Sequence, residues 1–134
     1  MGINPTRKAY GRANRSYLVT EPGIGDGIGC TLPKSAFNTA EGVTDGVVPA
    51  GYPIQVDSDG KAAPFEAYEP GEDGAPGTGG ELAGFTIDPV NVTNGDQSIG
   101  YQWYGAIDPS RLPVDFDPAD VAPGNSRFYF AAKA

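Results

Sequence analysis

The stretch that decides the fold is Val48–Phe65, which reads VPAGYPIQVDSDGKAAPF. Two short apolar runs, Tyr52–Val56 and Ala62–Phe65, flank the turn residues 57–60, Asp-Ser-Asp-Gly. This pattern predicts a β-hairpin, because Gly60 tolerates a positive φ and Asp59 can bond its own backbone. A hairpin of this size is marginal alone, so it must pack against other elements.

The incoming strand contains prolines, which lack the backbone N–H that a β-ladder needs. Pro49 and Pro53 both precede the turn. Because prolines occur mainly on edge strands, we predict that Tyr52–Val56 is an edge strand. We expect it to pair with, or lie beside, a neighbouring subunit or an N-terminal arm.

The composition predicts a mainly β domain, a small β-barrel or sandwich, with long Gly/Pro-rich loops. The chain has 134 residues, including 20 Gly and 13 Pro. This length fits a single domain with a real core, and the Gly and Pro content lies just below that of low-complexity chains. Residues 69–80 are the clearest loop.

Several segments outside the hairpin also have readable patterns. Leu82–Ile87, Ser98–Tyr104 and Phe128–Ala132 are predicted strands. Residues 117–121 begin with Asp-Pro and predict one short helical turn. Residues 31–47 hold scattered apolar residues among turn formers, and they predict irregular extended chain.

The net charge of −8 is unevenly distributed along the chain. Arg7, Lys8, Arg12 and Arg15 are four of the nine basic residues, and no acid precedes Glu21. An acidic body that follows a basic segment suggests that the segment docks on a negative surface. Four cations without a continuous run do not predict nucleic-acid binding.

Residues 1–42 are interpreted as an extended basic arm, and residues 43–134 as the β-rich domain. Tyr10 and Tyr17 accompany the basic residues, and Arg and Tyr are enriched where proteins meet. Arg15–Thr20 alternates well enough to add as a strand to a neighbour's sheet. For residues 1–14 the alternative is a mobile tail, because termini are loose unless tied down.

The Gly-rich run Gly23–Gly29, GIGDGIG, is interpreted as a flexible hinge between arm and body, or as a loop packed closely on another backbone. It does not fit a dinucleotide-binding loop, because the sixth position would be Ile28 or Cys30 instead of Gly. It also lacks a Gly-Lys-Ser/Thr ending and a following helix that could hold an anion.

The best alternating strand carries three aromatic residues, Tyr101, Trp103 and Tyr104. We expect Trp103 to lie in the core and Tyr104 at a surface or subunit contact. Stacking on sugars or on single-stranded nucleic acid remains an alternative, but bases also need a basic groove. No Lys or Arg occurs between Lys61 and Arg111.

Catalysis is not predicted. The chain has no His and one Cys, which excludes Ser-His-Asp and Cys-His sites and the usual structural zinc sites. Cys30 has no basic neighbour closer than Lys34 and is interpreted as a small apolar residue. A carboxylate-based hydrolase is the remaining enzymatic alternative.

The hairpin turn has part of the spacing of an EF-hand loop. Asp57, Asp59, Gly60 and Glu66 match its third, fifth, sixth and twelfth positions, but Gln55 stands where the first Asp belongs. Flanking prolines also forbid both helices. We predict a plain turn and no cofactor or metal, with a weak calcium site at Asp57 and Asp59 left open.

The sequence predicts no targeting to the secretory pathway or to a membrane. It shows no apolar signal region and no run of about 18 apolar residues. We therefore expect the chain to be made in a reducing cytoplasm.

Five short motifs occur in a fixed order along the chain: Val48-Pro49-Ala50-Gly51, Asp59-Gly60-Lys61, Leu82–Phe85, Gly105-Ala106 and Leu112-Pro113. The order of these motifs resembles the lambda-type head-decoration proteins of tailed bacteriophages. The likeness covers roughly residues 43–115 and leaves the basic arm unmatched.

The resemblance implies a structural protein, a homotrimer that binds the major capsid protein on the exterior of an expanded virion head and stabilises it. The arm residues expected to contact the capsid are Arg7, Lys8, Tyr10, Arg12, Arg15 and Tyr17. Tyr52, Trp103 and Tyr104 are the candidate subunit contacts. The alternative is a small β-sandwich module that binds carbohydrate, or another surface, through Tyr101, Trp103 and Tyr104.

Overall fold

The computed structural model describes residues 15–19, 27–122 and 127–131, and these ranges are mainly β-structure. Two single 3₁₀ turns, Pro109–Arg111 and Pro118–Asp120, follow the eighth strand. The other elements are, in chain order, β1 (Ile28–Leu32), α1 (Lys34–Phe37), β2 (Val47–Val48), β3 (Pro53–Val56), β4 (Ala62–Pro64), β5 (Gly84–Thr86), β6 (Val90–Asn91), β7 (Gln97–Gln102), β8 (Gly105–Ile107) and β9 (Phe128–Phe130).

The principal sheet has five strands in the order β1-β7-β5-β3-β4, and all of its pairs are antiparallel. Its two outer strands approach each other, because Thr31 forms a bridge with Lys61 and donates its N–H to the Gly60 carbonyl at 2.9 Å. The sheet is therefore nearly closed. This confirms the expected small, mainly β, barrel-like fold.

The predicted hairpin forms between β3 and β4, with Ile54 opposite Pro64 and Val56 opposite Ala62. Its turn uses Gly60 at φ +81°, and the Asp57 carboxylate accepts from the N–H groups of Asp59 and Lys61. The Asp-Gly signal therefore predicted both the turn and its position.

The prediction that Tyr52–Val56 is an edge strand is wrong. On one side of β3, the Ile54 carbonyl accepts from Ala83 N–H at 2.9 Å, and on the other the Pro53 carbonyl accepts from Phe65 N–H at 3.1 Å. Pro53 is tolerated because it lies at the open end of the hairpin, where its carbonyl still accepts and the ladder loses only one donor. The strand is internal to the chain's own sheet.

A smaller group of strands is centred on β8. β9 runs parallel to β8 on one side. On the other side, Leu18 forms an antiparallel bridge with Ile107, the Val19 N–H donates to the Ala106 carbonyl, and the Asp108 N–H donates to the Tyr17 carbonyl. Segments from opposite ends of the described chain thus flank one central strand.

The domain boundary predicted between residues 42 and 43 is not where the folded body begins. β1 is a full member of the principal sheet, and Phe37 of α1 is completely buried. Residues 31–47 are therefore irregular only in part, because the fully buried Leu32 and Phe37 provide β1 and α1 with apolar anchors, whereas residues 38–46 lie outside any helix or strand. Of the predicted hinge, residues 23–26 lie outside the described residues, and Ile28 and Gly29 belong to β1.

The later elements follow the predicted pattern with shifted boundaries. The expected strand at Ser98–Tyr104 is β7, which ends at Gln102. The helical turn is Pro118–Asp120, and the Asp117 side chain caps it by accepting from the Ala119 N–H at 2.9 Å. The predicted strand at the end of the chain is β9.

Two hydrophobic cores hold the fold together. The first, here called the sheet core, lies under the principal sheet. Its buried members are Cys30, Leu32, Phe37, Val48, Tyr52, Ile54, Ala62, Val90, Val92 and Tyr101. The second, here called the aromatic core, joins the β8 group to β5. It comprises buried Tyr17, Leu18, Leu82, Phe85 and Ile107, with Phe65, Leu112, Phe116, Val121, Phe128 and Phe130 packed around them.

No helix in the described ranges has the length and apolar character needed to cross a membrane.

Candidate interaction surface

The basic segment leads directly into a point that is fixed on the body. Four of the predicted arm residues, Arg7, Lys8, Tyr10 and Arg12, lie outside the described residues. Arg15 and Tyr17 are described, and both contact the chain's own domain. The prediction that these two belong to a free capsid-binding arm is therefore corrected, because they are occupied within the fold.

Tyr17 is part of the aromatic core, with only 1% of its surface exposed. Its hydroxyl donates to the Thr86 carbonyl at 3.2 Å, and its ring packs against Phe85 with centroids 6.3 Å apart. Burial raises the pKa of the Tyr17 phenol to about 12, an effect that nearby Arg15 opposes and Asp88 reinforces. The ring also lies against Gly51, where an added Cβ would be 2.6 Å from a ring carbon.

Arg15 ties the same segment to the loop after β5. Its Nη2 lies 2.6 Å from Asp88 Oδ1, and its Nε donates to the Ile87 carbonyl at 3.2 Å. The Asp88 side chain is largely exposed and the Arg15 side chain is about one-third exposed, so solvent screens the pair and it contributes little stability beyond orientation.

Tyr52, a candidate subunit contact, is buried inside its own chain at 3% exposure. Its hydroxyl donates to the Glu41 carbonyl at 2.6 Å, and its ring meets Phe37 edge-on at 5.9 Å. Burial, and then the Glu41 carboxylate, raise the pKa of Tyr52. This residue is a core residue, and the prediction of a subunit contact there is wrong.

The three aromatic residues near the end of β7 do not form one exposed platform. Tyr101 is buried in the sheet core. Trp103, which was expected in the core, is only half-buried and packs against it, and Tyr104 is also half-buried. The rings of Trp103 and Tyr104 pack edge to face with centroids 4.6 Å apart. Only these two of the three rings have surface to offer a partner.

The remaining candidates for a reactive or metal-binding site have structural roles. Cys30 is buried in the sheet core, and burial raises the pKa of its thiol to about 11, which disfavours the nucleophilic thiolate. The Asp57 Oδ1 atom is used by the hairpin turn. Among the described residues, no group of three or more His, Cys, Asp or Glu side chains is arranged to hold a metal ion.

The surface after β4 is strongly acidic. Here the term acidic loop denotes residues 66–81. The loop is attached to the 3₁₀ turn at 118–120, because the Tyr68 N–H donates to the Asp120 carbonyl at 2.7 Å and the Ala122 N–H donates to the Gly80 carbonyl at 2.9 Å. Its carboxylates are all exposed, and they are Glu66, Glu69, Glu72, Asp73 and Glu81.

Two clefts lie beside the hairpin. The larger, about 450 Å³, separates α1 from β3, β4 and the acidic loop, and its charged lining residues are Asp57, Lys61, Glu66 and Glu81. The smaller, about 250 Å³, is here called the aromatic groove. The residues that line it are Ala36, residues 39–41, Tyr52, Pro53, Pro64, Phe65 and residues 114–116.

Sequence reasoning missed the aromatic groove and the anchoring of residues 15–19. The sequence features that mark the groove are the apolar residues Phe65, Val114 and Phe116, which stand beside prolines and acidic residues. They could not be joined without the fold, because the groove brings together three segments that are distant in sequence.

Comparison with protein-family models, with curated proteins and with solved structures finds no match to this chain.

Proposed function

We propose that this chain is a structural capsid-decoration protein, which binds the major capsid protein on the outside of an expanded phage head as a homotrimer. The observation that carries the proposal is the fixed anchor at Arg15 and Tyr17. The cations Arg7 and Lys8 and the aromatic Tyr10 precede this anchor in the sequence, so that an adhesive segment is joined to a rigid β body.

The body supports this proposal through its charge. The acidic loop carries five exposed carboxylates, whereas the segment before Arg15 carries three cations and no acid. The cations would therefore contact a negative capsid surface, and the acidic loop would face the solvent. Many copies of such a modest contact give a high total avidity on a symmetric shell.

The first experiment measures binding to expanded, undecorated heads of the phage whose genome encodes the chain. We expect saturable co-sedimentation with the heads. Arg7→Gln combined with Lys8→Gln should weaken it by more than about tenfold, because two charge-assisted contacts are lost. Lys34→Gln combined with Lys61→Gln removes the same charge from exposed body positions and serves as the matched control. If both pairs of substitutions weakened binding equally, binding would depend only on non-specific charge attraction, which would contradict a specific role for the arm.

The second experiment measures the oligomeric state by light scattering. The expected mass is three times the 13.9 kDa of the chain. A strict monomer at high concentration, together with no binding to heads, would overturn the proposal.

The second candidate function, a carbohydrate-binding module, rests on the half-buried pair Trp103 and Tyr104. Aromatic faces are common in sugar and base recognition. Chemical-shift changes centred on Trp103 during titration with an oligosaccharide, and absent from a Trp103→Leu variant, would favour this module over capsid decoration.

A further inference from the structure

The aromatic groove combines apolar lining residues, here called its floor, with two exposed acidic lining residues, here called its rim. Phe65 and Phe116 are half-buried, with ring centroids 5.3 Å apart, and Pro64 is also half-buried. The carboxylates of Glu41 and Asp115 are exposed at the rim, and no Lys or Arg is among the lining residues. Such a surface suits an extended segment with apolar or aromatic anchors and positive charges.

We infer that, in the free protein, residues 1–14 of this chain dock in the aromatic groove. This inference goes beyond the proposed function and does not depend on it. The segment reads MGINPTRKAYGRAN, so it offers Ile3, Pro5 and Tyr10 to the apolar floor and Arg7, Lys8 and Arg12 to the rim. It contains no acid that the rim would repel.

The segment ends at an anchor that lies near the groove. Tyr17 packs against Gly51, which directly precedes Tyr52 in the groove floor. Fourteen extended residues span at most about 50 Å, whereas a domain of this size is roughly 35 Å across. The segment can therefore reach the groove of its own body or that of a second copy.

The larger cleft beside α1 is the weaker receptor for the same segment. It contains its own cation, Lys61, opposite Asp57, Glu66 and Glu81. The aromatic groove has no such competitor, and it has the aromatic floor that Tyr10 requires.

The test is trypsin cleavage after Arg7, Lys8 and Arg12 in the native full-length chain, followed by mass spectrometry. The reference is a synthetic peptide of residues 1–20. Because cleavage tracks the population of the open form, docking should slow each cut by about tenfold relative to the peptide. Cleavage as fast as in the peptide would overturn the inference.

Charge-neutral variants show whether the groove is the receptor. Glu41→Gln combined with Asp115→Asn should raise the cleavage rates severalfold toward those of the peptide. The matched control, Glu69→Gln with Glu72→Gln, removes the same charge from the acidic loop and should leave the rates unchanged. An equal rise in both pairs would show general attraction to the acidic body and would refute the groove.

The aromatic anchor is tested separately with Tyr10→Ala, compared with a peptide that carries the same change. Docking predicts faster cleavage of the variant after this correction, and an unchanged rate would contradict the role of Tyr10. Protection that rises with protein concentration would place the segment in the groove of a second copy, whereas constant protection would place it in its own groove. Both of these results support docking.

Discussion

The sheet core and the aromatic core differ in how the chain builds them. Half of the ten buried members of the sheet core lie on strands of the principal sheet, and only one of the ten lies after Val92. The aromatic core gathers residues from both ends of the described chain, from Tyr17 to Phe130, around the fully buried Phe85. The first core follows from strand patterns, and the second from contacts between distant segments.

This difference shows what the segment at residues 15–19 contributes. As an isolated stretch it resembles the start of an arm, because it follows basic residues and contains Tyr and Arg. In the fold, Tyr17 and Leu18 supply two of the five buried residues of the aromatic core. A truncation of the arm that also removed this segment would therefore damage the body.

The largest expected effect comes from Phe85→Ala, which removes the centre of the aromatic core. Phe85 packs edge-on against Phe128 at 4.9 Å and Phe116 at 5.8 Å. The free energy of unfolding should fall by about 3–5 kcal/mol. Urea unfolding measures it, with Ile54→Val in the sheet core as a milder comparison of about 0.5–1.5 kcal/mol.

Both of these variants should still unfold in one transition if the two cores form one cooperative unit. Two separate transitions, with fluorescence near Trp103 lagging behind the loss of β-structure, would show that the cores are independent.

The second effect tests the contact between Tyr17 and the body. Gly51 and Gly60 have nearly equal φ values, +84° and +81°, but only Gly51 would place a Cβ against a ring. Gly60→Ala should cost about 1–2 kcal/mol from φ alone. Gly51→Ala should cost roughly 2–5 kcal/mol, because overpacking is added. Equal losses in denaturant unfolding would mean that Tyr17 moves aside freely.

The third prediction uses one ionisable group from each core. The pKa of Cys30 is raised from 9.0 to about 11, and that of Tyr17 from 10.0 to about 12, in both cases chiefly by burial. The folded state then keeps protons that the unfolded chain releases, so stability is full below the unfolded pKa and falls as pH rises. The Cys30 contribution is lost between pH 9 and 11, and the Tyr17 contribution between pH 10 and 12.

Stability measured against pH in Cys30→Ala and Tyr17→Phe separates these two windows. Cys30→Ala should flatten the curve from pH 9 upward. Tyr17→Phe should flatten it only above pH 10, and only in part, because burial also raises the pKa values of Tyr52 and Tyr101. An unchanged slope in both variants would contradict the assigned burial.

The smallest effect is expected for the ion pair of Arg15 and Asp88, whose side chains are 37% and 68% exposed. Arg15→Gln should change the free energy of unfolding by about 0–1 kcal/mol, because solvent screens the pair. A double-mutant cycle with Asp88→Asn isolates the pairwise energy. A coupling above about 2 kcal/mol would mean that charge, and not burial of Tyr17, anchors the segment.

Local patterns predicted much of the fold. The Asp-Gly turn, the alternating β7 and the Asp-Pro cap at Asp117 act within a few residues, so their geometry follows from neighbouring side chains. The prediction of an edge position for β3 is wrong because proline disfavours internal strands only through its missing N–H donor. Pro53 lies at the end of the strand, where only one donor is lost. The candidate surface was predicted poorly, since Tyr17 and Tyr52 could be recognised as buried only after distant segments had met.

The contact between Tyr17 and Thr86, which are 69 residues apart in sequence, has a consequence for the kinetics of folding. The entropic cost of closing a loop grows with loop length, so contacts between residues that are distant in sequence form late in folding. We expect the hairpin of β3 and β4 to form early, and the segment at residues 15–19 to dock only after β5 and β8 are in place. Until then Tyr17 and Leu18 remain exposed, so the partly folded chain presents an apolar surface that the native state covers.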